Sequence, residues 1–434
     1  MSTVTLTPRP RLTDRLATLP VVVIGAGPVG LAAAAHLADR GIEFIVVEAA
    51  SGPAAAVQQW GHVRLFSAWR EVIDPVARRL LQEAGWDGPV NENRAPSGQE
   101  LVDEYLRPLG ALPVIARHVR YDTRVTAVSR EGMDRTRSAG RDTTPFVIRV
   151  GAGRESEQIL ARAVLDASGT YNSPNPLLSA GWSPAEDTAM TDRVTHALPD
   201  VLGRDRERFA GRHAVVVGAG HSAANTLIAL VQLQRDEPGT RISWLIRNAT
   251  AVRVSSSAED ELLSRAQLGA RVDRYVASGK VEKVDSFEID DVEATAGGVR
   301  LRGRRQGEPA SLDADVVVNA TGFRPDLAPL REIRTDLDAI VEAPRLLAPL
   351  IDPNVHSCGT VEPHGFRELT HPEHGFFIVG MKSYGRAPTF LLATGYEQVR
   401  SVAAWLAGDL ASASRVELTL PATGVCSTDA GGCC

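Results

Sequence analysis

Two glycine turns carry the chemistry this chain can be expected to perform. The first, Gly25-Ala26-Gly27-Pro28-Val29-Gly30, follows the apolar run Val21 to Ile24 and opens an alanine-rich helix, Leu31 to Arg40. In such a strand-turn-helix, Gly25 permits the tight turn, Gly27 admits phosphate close to the backbone, and Gly30 lets the helix lie on the strand. The helix N-terminus then faces the negative charge of a dinucleotide pyrophosphate. A second apolar strand, Phe44 to Val47, ends at Glu48, where an acid can hold a ribose hydroxyl. The pattern recurs at His213 to Val217, which leads into Gly218-Ala219-Gly220-His221-Ser222-Ala223. There the next strand, Arg241 to Ile246, runs into Arg247. An arginine pairs with a 2′-phosphate that an acid would repel, so this turn is expected to take NADPH rather than NADH.

Three other groups of residues bear on reactivity. The segment Trp60 to Trp69 crowds two tryptophans with His62 and Arg64, and reads either as a loop packed onto its domain or as the border of a reaction site. In the second case Arg64 or Arg386 binds an anionic group. Of four cysteines, Cys426, Cys433 and Cys434 fall in the last nine residues, so they do not form a disulfide framework for the fold. The adjacent Cys433-Cys434 pair suits a thiophilic ion, with Cys358 as a partner nearer the core. His364, His371 and His374 stand among turn residues without a recognisable third ligand, and no metal site is expected.

These groups need elements to position them. Helices are expected over about Pro75 to Glu83 and Gly98 to Pro108, the latter opened by Ser97 with Glu100 at capping-box spacing. Strands follow at Thr123 to Ser129 and Phe146 to Val150, joined by a polar hairpin tip, Glu131 to Thr144. The strand Ala161 to Asp166 exits through Ala167-Ser168-Gly169. The same device recurs as Ala314 to Asn319, leaving through Ala320-Thr321-Gly322, and small residues there allow backbone to approach a ligand. One exit after each glycine turn implies a dinucleotide domain inserted within another. The fold class is therefore α/β, with two Rossmann-like domains. The expected boundaries are a disordered arm over 1–19, a first domain over 20–175, the inserted domain over 176–325, the remainder of the first over 326–410, and a mobile cysteine-containing tail over 411–434. A last strand at Phe376 to Gly380 precedes a helix over Thr389 to Leu406.

At 434 residues the chain can hold two cores, and its formal charge of −6 with no long basic run argues against a nucleic-acid partner. The absence of a membrane-length apolar run or a signal-like start leads to an expected cytoplasmic protein acting on a small molecule. A homodimer is left open.

Over about residues 18 to 408 the chain resembles the flavin-containing monooxygenase and thioredoxin-reductase-like flavoproteins. The motifs are the first turn with Glu48 for FAD, the second for NADPH, and Ala320-Thr321-Gly322 followed by Phe323-Arg324-Pro325-Asp326. More narrowly, Trp60 to Ser67, Met381 to Arg386 and the cysteine tail resemble actinobacterial flavoproteins associated with arsenic-resistance gene clusters. The cofactor contacts expected are Gly25, Ala26, Gly27, Pro28, Gly30, Glu48, Trp60, Val125, Ala167, Gly169, Gly218, Gly220, His221, Ser222, Ala223, Arg247, Gly322, Gly380 and Lys382. Arg64, Cys433 and Cys434 are the candidate catalytic residues.

Three departures from the resemblance matter. Phe209-Ala210-Gly211 lacks the histidine and aromatic of the monooxygenase fingerprint, and His196 lies too far upstream. The usual Gly-x-Asp reads Gly380-Met381-Lys382, which raises the question whether Lys382 meets phosphate directly. No Cys-x-x-Cys follows Ser222, and no cysteine pair lies between Glu48 and Trp69. The expected activity is NADPH-driven reduction of FAD followed by oxygenation of sulfur, nitrogen or trivalent arsenic through a flavin peroxide. The alternatives are reduction of a thiophilic ion or disulfide through Cys433-Cys434, and a non-catalytic FAD-binding redox sensor.

Overall fold

The computed structural model describes residues 12–151, 156–183, 192–249, 263–352, 363–387 and 390–418. The apolar runs form two five-stranded parallel sheets. In the first, the spatial order is Phe376–Ile378, Ala163–Asp166, Val21–Ile24, Phe44–Val47 and Val119–Arg120. Val21 registers with both Phe44 and Ala163, and Phe376 with Val164. In the second, the order is Glu282–Val284, Arg241–Leu245, His213–Val217, Val316–Asn319 and Val194–His196. Val21 to Val23 and Ala214 to Val216 are all fully buried, as central strands covered on both faces must be.

The strand preceding each glycine turn lies at the centre of its sheet, where the winding direction reverses, which is where open α/β sheets bind ligands. The first sheet is completed by Phe376–Ile378, which comes after the whole second sheet in the chain. The second module is therefore inserted into the first. Each module also carries an antiparallel meander, Val125–Arg130, Phe146–Val150 and Glu157–Ala161 in one, and Phe287–Ala294, Val299–Arg305 and Glu308–Ala314 in the other.

The helix after the first turn spans Pro28–Asp39, beginning at the proline because its fixed φ suits the first helical position. Ala32 to Ala35 are fully buried there. The helix Leu392–Leu406 approaches the same region closely enough that a Cβ on Gly395 would stand 2.6 Å from Val29 Cγ2. Pro75–Glu83 is helical as expected, with Asp74 Oδ1 accepting the Ala77 N–H at 2.8 Å. Ser97 and Glu100 form the expected capping box. The rod they open runs on through a π-helical turn, Val102–Leu106, and a further turn, Arg107–Ala111.

Two expectations about the ends need correction. Within the arm, Leu12–Ala17 is helical, and Arg15 pairs with Glu131 at 2.8 Å. The tail is ordered at its start, where Leu410–Ser414 forms a helix capped by Asp409. Its small residues look unattached in sequence, yet Ser401 donates to the Ala413 carbonyl at 2.7 Å and Arg400 to that of Ser412 at 3.0 Å. Both anchors lie on the preceding helix. The polar hairpin tip is also held. Arg130 and Arg141 both bind the fully buried Glu373, whose carboxyl burial pushes up but the two guanidiniums hold below its ordinary value.

Candidate dinucleotide sites

At the first turn each glycine has a distinct steric duty. Gly25 has φ +100°, and a Cβ there would lie 2.8 Å from the Ala167 carbonyl oxygen. A Cβ on Gly30 would lie 2.0 Å from the Gly25 carbonyl oxygen. Gly27 faces open space, with nothing within 4 Å of an added Cβ, and no side chain caps the helix it begins. An uncapped helix N-terminus beside that opening fits a pyrophosphate, whose oxygens accept from otherwise unpaired amides.

Glu48 shapes this cradle as well as bordering it. Its Oε2 accepts the Ala26 N–H at 2.7 Å and its Oε1 the Ala50 N–H at 2.9 Å. A carboxylate has about four lone-pair sites, so capacity remains for a ribose hydroxyl. Val125 is half-buried, just beyond Thr123, whose N–H donates to the Glu48 carbonyl.

The second turn repeats the arrangement. Gly218 has φ +128°, and its Cβ would lie 2.2 Å from the Ala320 carbonyl oxygen. Gly220, like Gly27, meets nothing within 4 Å and begins an uncapped helix, His221–Asp236. His221 and Ser222 are the first two residues of that helix, and Ala223, in the third-glycine place, is fully buried. Trp244 locks the turn by donating its indole N–H to the Gly218 carbonyl at 2.7 Å. Sequence inspection misses this contact, since a tryptophan in a buried strand reads as core. Arg247 is exposed just past the strand Arg241–Leu245.

The segment leaving the first strand exit runs onto the second. Asn175 accepts and donates across to the other exit, with Asn175 N to the Gly322 carbonyl at 2.9 Å and Asn319 Nδ2 to the Asn175 carbonyl at 2.8 Å. Gly169 and Gly322 both have positive φ, +70° and +102°. Tyr171, His196 and Phe323 gather there with ring centroids 5.0 to 5.3 Å apart. His196, set aside on sequence spacing, thus belongs to the junction between the modules.

The Trp60 to Trp69 segment divides in a way the sequence does not separate. Trp69 is fully buried core, the packed alternative of the two. Trp60 packs over Gly98, where a Cβ would come 2.8 Å from the indole ring. Phe66 instead reaches the second module and lies against the His221 ring, centroids 4.9 Å apart. Arg64 is exposed, donating to the Ala95 carbonyl at 2.5 Å and lying 3.5 Å from Glu100. Its side chain is more than half exposed, and the nearer partner of Glu100 is Arg94 at 2.7 Å. Arg386 is paired with Glu342 at 2.6 Å.

Lys382 also departs from expectation. It is buried, and its Nζ donates to Asp166 Oδ2 at 2.7 Å and to Ser168 Oγ at 3.1 Å. An ammonium so engaged does not project to a phosphate. Gly380, at φ +69°, donates its N–H to Gln398 Oε1 at 2.7 Å. His371 is half-buried and accepts the Asp336 N–H at 3.2 Å, and desolvation of its ring pushes its pKa down to about 4. Cys358, Cys426, Cys433 and Cys434 lie outside the described residues. Among those described, no helix is long and apolar enough to cross a membrane.

Comparison with known proteins agrees with this geometry. The family model for pyridine nucleotide-disulphide oxidoreductases matches residues 22–354. A ferredoxin--NADP reductase of Saccharopolyspora erythraea is 28% identical over 321 residues, covering 73% of this chain and 77% of that protein. Among solved structures, the bacillithiol disulfide reductase of Bacillus cereus superposes with a TM-score of 0.66 at 20% identity, covering 90% of this chain and 99% of that one. The FAD-bound cadaverine monooxygenase of Erwinia amylovora gives 0.62 at 16% identity, covering 94% and 99%. The chain belongs to the pyridine nucleotide-disulphide oxidoreductase family and is an oxidoreductase with FAD and NADP(H) as its cofactors.

Proposed function

We propose that this oxidoreductase is of the monooxygenase type, using NADPH and oxygen to oxygenate a small soft nucleophile such as sulfur, nitrogen or trivalent arsenic. The observation that carries this reading is the composition of the junction. Between residues 1 and 357 there is no cysteine, so both glycine turns, both strand exits and the Phe66–His221 contact are free of thiols. Electrons arriving there meet no cysteine pair from those segments.

The chain's own contribution is binding and exclusion of water. Open backbone at Gly27 and Gly220 receives the two pyrophosphates, Glu48 takes a ribose hydroxyl, and Arg247 takes the 2′-phosphate that selects NADPH. Phe66 and His221 cover the junction with rings, which favours chemistry that water would quench. FAD, when bound, supplies the electron storage between NADPH and oxygen. The test is conversion of a thiol, amine or arsenite substrate by NADPH with and without oxygen. Oxygen-dependent conversion is expected, and equal conversion in its absence contradicts the reading.

A second reading rests on the adjacency of Cys433 and Cys434, which suits reduction of a thiophilic ion or a disulfide. Truncation after Leu418 separates the two, because it spares the docked helix Leu410–Ser414. Unchanged turnover supports the oxygenase, and lost turnover supports the thiol route. A redox sensor differs from both in being reduced only slowly by NADPH.

A further inference from the structure

The two strand exits repeat one hydroxyl-closed turn, and they differ in charge, with Asp166 in one where Asn319 stands in the other. In the inserted module Asn319 Oδ1 accepts the Thr321 hydroxyl at 2.7 Å and the Thr321 N–H at 3.3 Å. In the first module Asp166 Oδ1 accepts the Ser168 hydroxyl at 2.6 Å and the Ser168 N–H at 3.1 Å. The same turn is therefore made by a neutral amide at one site and by a buried carboxylate at the other. Charge is not needed to form it.

The charge at Asp166 must serve a different contact, and Lys382 is that contact. Both side chains are 2% exposed, and their 2.7 Å pair is closed into a ring by Ser168, which accepts from Lys382 and donates to Asp166. Burying two charges is costly and is stabilising only with good geometry and satisfied hydrogen bonds, which this ring provides. The ring lies where three backbone segments meet. Ala167, between Asp166 and Ser168, presents its carbonyl to Gly25 of the first turn. Val379 donates its N–H to the Asp166 carbonyl at 3.0 Å. Gly380 brings a would-be Cβ within 3.2 Å of Val29, on the helix that the first turn opens.

We propose that Lys382 is a positioning residue that draws the segment returning from the inserted module, Gly380–Tyr384, onto the floor of the FAD site through Asp166 and Ser168. The inference rests on the FAD assignment of the first turn. Lys382 does not touch phosphate. It ties the returning segment to the strand exit of the first module, across 216 positions of sequence.

The experiment compares wild type with the double variant Asp166→Asn/Lys382→Met. Asn at 166 reproduces the turn that Asn319 already makes, and removing both charges avoids the stranded carboxylate that would confound Lys382→Met alone. The apoprotein is expected to melt close to wild type. FAD affinity, followed by flavin fluorescence, is expected to fall roughly ten- to a hundredfold, the loss of a charge-assisted tie. Wild-type FAD affinity in the double variant overturns the proposal while leaving the flavoprotein assignment intact. A wild-type protein that binds no FAD overturns the assignment itself, and the proposal with it. Ser168→Ala, which opens the ring but keeps both charges, is expected to weaken FAD binding by less.

Discussion

The two glycine turns use one backbone plan with different tolerances. At the first, the third glycine is obligatory, since a Cβ on Gly30 would stand 2.0 Å from the Gly25 carbonyl oxygen. At the second, Ala223 holds the same place fully buried. The first turn is clamped by a carboxylate, Glu48 on Ala26, and the second by an indole, Trp244 on Gly218. Past the neighbouring strand stands Glu48 in one module and Arg247 in the other. The shared parts are the glycines that leave backbone open at Gly27 and Gly220, and the differing parts are the clamps and the residues past the neighbouring strands.

Substituting the glycines that abut the strand exit of their own module breaks this comparison most severely. Gly25→Ala and Gly218→Ala each force a side chain onto a carbonyl oxygen at a positive φ. Gly218→Ala is expected to abolish flavin reduction by NADPH while FAD stays bound, and Gly25→Ala to yield protein purified without FAD. Retention of both cofactors by both variants would show that the turns do not hold them. Glycine at 223 is a milder change, expected to cost about 1 kcal/mol of stability as an Ala to Gly change in a helix. Thermal melting of Gly30→Ala beside Ala223→Gly therefore measures the asymmetry between the turns.

Acid should reveal a different contrast. Each module desolvates an imidazole, buried at His213 and half-buried at His371, which lowers the pKa of His213 and brings that of His371 down to about 4. The unfolded chain binds these protons at higher pH than the folded one, so stability is full above the ordinary histidine value and declines as pH falls toward 4. For His371 the decline amounts to about 3 kcal/mol. Denaturant melts across that window check it, and His371→Asn, which keeps an acceptor for Asp336, should flatten the curve.

Arg247→Ala is expected to raise KM for NADPH roughly tenfold or more and to leave NADH unchanged, as loss of one charged hydrogen-bonding group implies. Steady-state kinetics with both nucleotides decide it, and an equal effect on each would deny Arg247 its selective role. The smallest effect expected is that of Trp244→Phe. It removes one buried donor from Gly218 and should cost about 1 kcal/mol in stability of the inserted module.

What was legible in the sequence was what the chain encodes locally. The glycine turns, the central strands, the capping box at Ser97 and the exits at Ala167 and Ala320 each depend on residues within a few positions of one another. The insertion was legible because the exits repeat in order. What escaped depends on distant partners. Lys382 looked like a candidate phosphate ligand until Asp166 supplied a nearer counter-charge. Trp60, Phe66 and Trp69 look alike in sequence, yet one packs on Gly98, one meets His221 and one fills the core. The tail over 411–434 reads as mobile because the anchors of its start, Arg400 and Ser401, belong to the helix before it.

The central claim is that the two turns form one electron path from NADPH to FAD to oxygen. Mixing the purified holoprotein with NADPH under anaerobic conditions, then admitting oxygen, tests it most directly. The account predicts rapid bleaching of the visible flavin absorbance by NADPH, and its return with consumption of oxygen. Flavin that stays oxidised in the presence of excess NADPH would contradict it.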